Sequence, residues 1–71
     1  MERQPVSSSV LASVGYDEAS ATLELEFADG GVYQYFGVPS HVHAGLMAAD
    51  SLGAYFDAHV KKAGYQHAKI G

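Results

Sequence analysis

Residues 22–27, TLELEF, alternate strictly: Leu23, Leu25 and Phe27 fall on one side of an extended chain, and Thr22, Glu24 and Glu26 on the other. A period of two with one polar side predicts a half-buried antiparallel strand. Upstream, SSVLASVGYD carries β-branched and apolar residues up to a cluster of turn formers, DEAS, which predicts a first strand over about Val10 to Tyr16. Downstream, ADGG sets Asp29 before two glycines that tolerate positive φ, and VYQYF resumes extended character, so the segment reads as a hairpin.

The parity of the hairpin loop decides where Tyr33 and Tyr35 go. An even loop puts them beside Glu24 and Glu26. An odd loop, such as a type I turn closed by a glycine in the left-handed region, puts them on the Leu23, Leu25 and Phe27 face. The odd loop is favoured because it sends Gln34 among the glutamates and the two rings inward, whereas the even loop buries an amide. Val32 and Phe36 then lie on the outer face.

Beyond Pro39 the period changes. Ser40 is a good N-cap, and Val42, Gly45, Leu46 and Ala49 share one helical face, which predicts a short helix from His41 to Ala49. Asp50 and Ser51 can cap a second helix, running to about Lys62, whose positions Leu52, Tyr55, Phe56, His59 and Val60 follow i, i+3, i+4, i+7 and i+8. Lys61 and Lys62 complement its dipole, and Gly64 is placed to end it. Residues 1–6 and 66–71 are expected to be loose. The expected fold is α+β: a three-stranded antiparallel meander followed by two short helices packed on one face, in a single domain spanning 1–71.

Composition changes this picture mainly by exclusion. A chain of 71 residues has room for one core and no second domain. It has no cysteine, which excludes a disulfide framework, a thiolate metal site and a cysteine nucleophile. The start, MERQPVSSSVLASVG, has no apolar run of signal-peptide length, and no stretch approaches the roughly 20 apolar residues of a membrane span. A cytoplasmic protein without membrane contact is the expectation. The net charge is −4, and only Arg3, Lys61, Lys62 and Lys69 are available to meet phosphates, which argues against non-specific duplex binding.

Candidate chemistry is sparse. His41 and His43 stand two apart on a predicted helix and so diverge, and with scattered carboxylates no metal site is expected. His59 and His67 read as surface or helix-end groups. Ser7, Ser8, Ser9 and Ser51 offer hydroxyls, but there is no GxSxG elbow, and such serines suit turns and caps. DGG lacks the GxxxxGK[ST] pattern of a phosphate loop. No catalytic residue, cofactor or enzyme activity is expected. What remains is aromatic: five tyrosines and three phenylalanines. Such rings hold single-stranded nucleic acid by stacking, at about 1–3 kcal/mol per base. They equally fill the core of a sheet roofed by helices, with tyrosine hydroxyls reaching the edge. The candidate contacts for a nucleic acid or a protein partner are Tyr33, Tyr35, His59, Lys61, Lys62 and Tyr65.

Four segments together resemble one known family. Ser8 and Ser9 precede an apolar strand ending in Gly15, Tyr16 and Asp17, and the LxLxF strand holds Leu23, Leu25 and Phe27. Tyr33 and Tyr35 are followed by Gly37, Val38 and Pro39, and a last segment carries Ala49, Ser51, Gly53 and Phe56. In these features nearly the whole chain, from VSSSVLASVGYD onward, resembles the KTSC domain, named for the C-terminus of some lysyl-tRNA synthetases and also found as a free-standing small bacterial protein. The resemblance implies a non-catalytic recognition module, with RNA or tRNA-related binding suggested by the attachment to a synthetase. This chain departs from the usual pattern in carrying Gln34 and an acidic outer strand face where basic residues often stand. The alternative is a protein-interaction or self-association module, such as a homodimer, motivated by the acidic balance, the small core and an edge strand open to another chain.

Overall fold

In the computed structural model, which describes residues 1–71, five strands form one sheet and a helical segment precedes the last of them. β1 (Gln4–Pro5), β2 (Leu11–Asp17), β3 (Thr22–Phe27), β4 (Val32–Tyr35) and β5 (His67–Lys69) pair antiparallel in chain order, as a meander. Between β4 and β5 lie α1 (Ser40–Ala48), α2 (Leu52–Phe56) and one π-helical turn, Asp57–Lys61, that continues α2. The α+β class and the order of the central elements match the expectation, and the sheet has two strands more.

The hairpin has the odd loop. Gly30 sits at φ 96°, its N–H bonds Phe27 O at 2.9 Å, and Phe27 N–H bonds Gly31 O at 2.8 Å. A turn closed by a left-handed glycine fits the twist of the flanking strands. Leu25 therefore opposes Tyr33, Leu23 opposes Tyr35, and Glu24 opposes Gln34. In β2 the alternation fails locally: Leu11 opposes Phe27 but Ser13 opposes Glu26. This bulge lets Leu11 and Val14, which strict alternation would send to opposite faces, both enter the core.

The core is completed from the helix side by Val38, Val42, Leu46, Phe56 and Val60, packed over Leu23, Leu25 and Tyr35. Each such side chain contributes about 1.5–3 kcal/mol on full burial. Ser51 caps α2 as expected, its hydroxyl accepting from Ala54 N–H at 3.2 Å. Ser40 does not cap α1. Pro39 occupies that position with extended geometry, and Ser40 is the first helical residue, because the proline ring both ends the strand and presets the entry. The second helical run reaches Lys61, but its last turn widens, with Lys62 N–H bonding Asp57 O at 3.1 Å.

Three further expectations need correction. Residues 1–6 are not loose, since Gln4 pairs with Val14 and Val6 N–H bonds Ala12 O at 3.1 Å. Residues 66–71 are not loose either, since Tyr35 pairs with His67, Phe36 N–H bonds Gln66 O at 2.9 Å and Val32 N–H bonds Gly71 O at 3.0 Å. Both segments satisfy backbone groups that β2 and β4 would otherwise present as bare edges. Nor is β3 half-exposed: Thr22 and Glu24 are buried on its outer face. Arg3 lies over that face, pairing with Glu24 and donating to Ser13 Oγ at 2.9 Å, while Gln34 Nε2 donates to Glu24 Oε1 at 2.9 Å.

Candidate functional site

Cross-strand pairing carries two side chains of β5 onto the helix side of the sheet. Tyr35 opposes His67 and Tyr33 opposes Lys69, so these four share the face of Leu23 and Leu25. The helical layer stops short of this end. Phe56 reaches the Tyr35 ring at 5.7 Å, whereas His67 and Lys69 stay exposed. At this boundary lies a shallow depression of about 280 Å³, lined by Phe27, Asp29, Tyr33, Tyr35, Phe56 and Lys61.

Its aromatic walls are held by one another. Phe27 meets Phe56 edge-on at 5.3 Å and Tyr33 edge-on at 5.5 Å, and His67 stacks on Tyr35 at 5.0 Å. Tyr35 is buried, and desolvation followed by the neighbouring Tyr33 pushes its phenol above the ordinary value, so it remains a neutral donor. Tyr33 keeps part of its surface open.

The charges are distributed unevenly. Arg3 pairs with Glu24 on the outer face, and Lys62 pairs with Asp57 at 3.2 Å on the surface. Lys61 and Lys69 are left without an acidic partner, one lining the depression and the other beside Tyr33. Asp29 completes the rim from the hairpin tip, where its Oδ1 accepts from Gly31 N–H at 2.9 Å. A planar group entering here meets an aromatic surface that includes two tyrosines, with a lysine and one aspartate on the lining.

Of the residues singled out in the sequence, the fold brings together Tyr33, Tyr35 and Lys61. His59 instead lies against Tyr55 at 4.4 Å with the rings tilted, Lys62 pairs with Asp57 on the surface, and Tyr65 packs against the core. The pattern missed Asp29, Phe27 and Phe56 as lining residues, and His67 and Lys69 as members of the same face. A signal for the last two was present. His67 and Lys69 repeat the period of two of Tyr33 and Tyr35, as a pairing strand would.

Elsewhere the family-like residues serve structure. Ser8 Oγ accepts from Val10 N–H at 3.1 Å and from Leu11 N–H at 3.3 Å, and with Ser51 it lines a second depression of about 280 Å³ where the N-terminal loop meets α2. Tyr16 donates to Val38 O at 2.6 Å and stacks on His43 at 4.8 Å. Burial lowers the basicity of His43, which holds it neutral near pH 7. No helix is long and apolar enough to cross a membrane.

Against known proteins, the KTSC domain model matches residues 7–65. An uncharacterised protein of Stutzerimonas stutzeri (strain A1501) is 41% identical over 70 residues, covering 99% of both chains. A lysine–tRNA ligase of Nostoc punctiforme is 40% identical over 53 residues, which is 75% of this chain and 9% of that protein. The crystal structure of a KTSC domain protein from Yersinia pestis superposes with a TM-score of 0.93 at 46% identity, covering 99% of this chain and 97% of the other.

Proposed function

This chain belongs to the KTSC domain family, and from that premise we propose that it is a non-catalytic recognition module whose helix-side depression binds single-stranded RNA. The observation that carries the reading is the placement of the two lysines lacking acidic partners. In a chain of net charge −4, Lys61 lines the depression walled by tyrosines and Lys69 stands opposite Tyr33 on the adjoining strand. Aromatic surface beside unpaired cations is the combination that holds a base and its adjoining phosphates. Segments similar to this chain also occur in proteins named lysine–tRNA ligases, which supports an RNA ligand.

The test is fluorescence anisotropy of labelled single-stranded RNA oligomers and tRNA against the full chain at low salt. Two phosphate contacts on single strands imply a salt slope, log K against log[salt], of about −1.4. Replacing both Lys61 and Lys69 by Ala should flatten that slope, while Lys62→Ala should leave it unchanged. Absence of binding to every RNA through the tens-of-micromolar range would refute the reading.

A second reading, self-association along β5, is favoured by the exposure of that whole edge strand and of Ile70 beside it. It predicts a dimer in sedimentation that Ile70→Lys disperses. A strict monomer at high concentration would dismiss it.

A further inference from the structure

Resting on the RNA reading above, we infer that the depression selects guanine, with the Asp29 carboxylate accepting from the base N1–H and N2–H. Asp29 is the one acid on the rim of the depression, where it stands exposed at the hairpin tip. Its Oδ1 is tied to Gly31 N–H at 2.9 Å, in a turn closed by Gly30 at φ 96°. Oδ2 has no partner in the chain, so the carboxylate keeps acceptor capacity on both oxygens.

The base edges then discriminate themselves. Guanine presents two adjacent N–H donors on its Watson–Crick edge, which match the two oxygens of a planar carboxylate. Adenine and cytosine present one amino group next to a bare ring nitrogen, whose lone pair the carboxylate repels. Uracil presents one N–H between two carbonyls, with the same conflict. The remaining groups agree with this orientation. The Tyr33 and Tyr35 hydroxyls and the Lys61 ammonium are donors, suited to guanine O6, and the open surface of Tyr33 offers a stacking contact. A depression of about 280 Å³ is just under the usual range for small-molecule pockets, roughly 300–1,000 Å³, which suits one base and not an extended ligand. Lys69, beside Tyr33, is placed for the adjoining phosphate.

The carboxylate also sets a sharper condition. It repels phosphate, so removing its charge should cost guanine binding while leaving the binding of other bases equal or stronger. The experiment compares the RNA pentamers UUGUU, UUIUU, UUAUU, UUCUU and UUUUU on the native chain and on Asp29→Asn, with GMP as competitor. Asn keeps an oxygen for Gly31 N–H, and an unchanged melting temperature verifies the variant's fold. The expected result is roughly tenfold tighter binding of the guanine pentamer than of the adenine one, from a two-bond contact. Inosine, which lacks the N2 amino group, should fall between, and Asp29→Asn should erase the preference. Equal affinities for all five, with the salt slope intact, would overturn the guanine inference and leave RNA binding standing. Absence of binding to all five would instead remove the RNA reading beneath it. GMP competing as well as the pentamer would overturn RNA as the source of the base.

Discussion

Arg3→Ala tests how the outer face of the sheet is held. Arg3 pairs with Glu24, whose side chain is 6% exposed, and donates to Ser13 Oγ, which in turn donates to Glu26 Oε1 at 2.8 Å. Hydrogen bonds to charged groups contribute about 1.5–3 kcal/mol each. Arg3 keeps 29% of its own side-chain surface open, so water replaces part of what is lost, and Gln34 still serves Glu24. The expected loss is therefore about 2 kcal/mol. At roughly 4–8 °C per kcal/mol for a domain of this size, the melting temperature should fall by about 8–16 °C at pH 7. The sign of the pH dependence follows from Glu24. Burial alone would raise its carboxyl, but the Gln34 hydrogen bond and the Arg3 guanidinium outweigh it and hold the carboxyl below the ordinary 4.5. A carboxyl lowered on folding contributes stability that is present above pH 4.5 and lost as pH falls through the folded-state value. The native chain should lose this contribution on acidification, and Arg3→Ala has less of it to lose. Thermal melts followed by circular dichroism between pH 7 and pH 3 measure both effects. In a Glu24→Gln background the Arg3→Ala loss should shrink to a few tenths of a kcal/mol. An unchanged melt at pH 7, or the same loss in both backgrounds, would refute the reasoning.

Gly45→Ala should destabilise the chain despite the helix preference for alanine. A Cβ at Gly45 would fall 2.1 Å from the Tyr55 hydroxyl, so overpacking of about 1–3 kcal/mol opposes a propensity gain of about 1 kcal/mol. In a Tyr55→Ala background the same substitution should become neutral or stabilising, which urea titration of the four variants checks. Deleting residues 67–71 removes β5, including the carbonyl of Gly71 that receives Val32 N–H. The Val32 amide should then lose its protection in hydrogen exchange, and the melting temperature should drop. Full retention of both would mean that β5 adds nothing to the sheet.

The family-like residues and the central elements were legible because each rests on a local rule. Leu23, Leu25 and Phe27 alternate, Gly30 permits the turn that sets the tyrosines' side, and Ser51 caps the helix that follows it. The site was legible in part. Tyr33, Tyr35 and Lys61 were found, but Asp29 read as a turn residue and Phe56 as core, because both also are those things. His59 and Lys62 were drawn in by sequence nearness to Lys61, although a helical surface sends neighbours in different directions.

By itself, then, the sequence determined the hairpin and its parity, the two-helix run and the inward face of β3, all from interactions spanning a few residues. Tertiary structure decided the rest. Residues 1–6 and 66–71 carry weak strand signals and become β1 and β5 only because β2 and β4 offer them unmet backbone donors and acceptors. The bulge at Leu11 exists because two apolar residues of β2 compete for one core face. Glu24 is buried because Arg3, 21 residues away, returns to neutralise it. Lys69 comes to lie beside Tyr33 because β5 closes against β4, and Lys61 reaches the depression from the helical turn packed over the sheet.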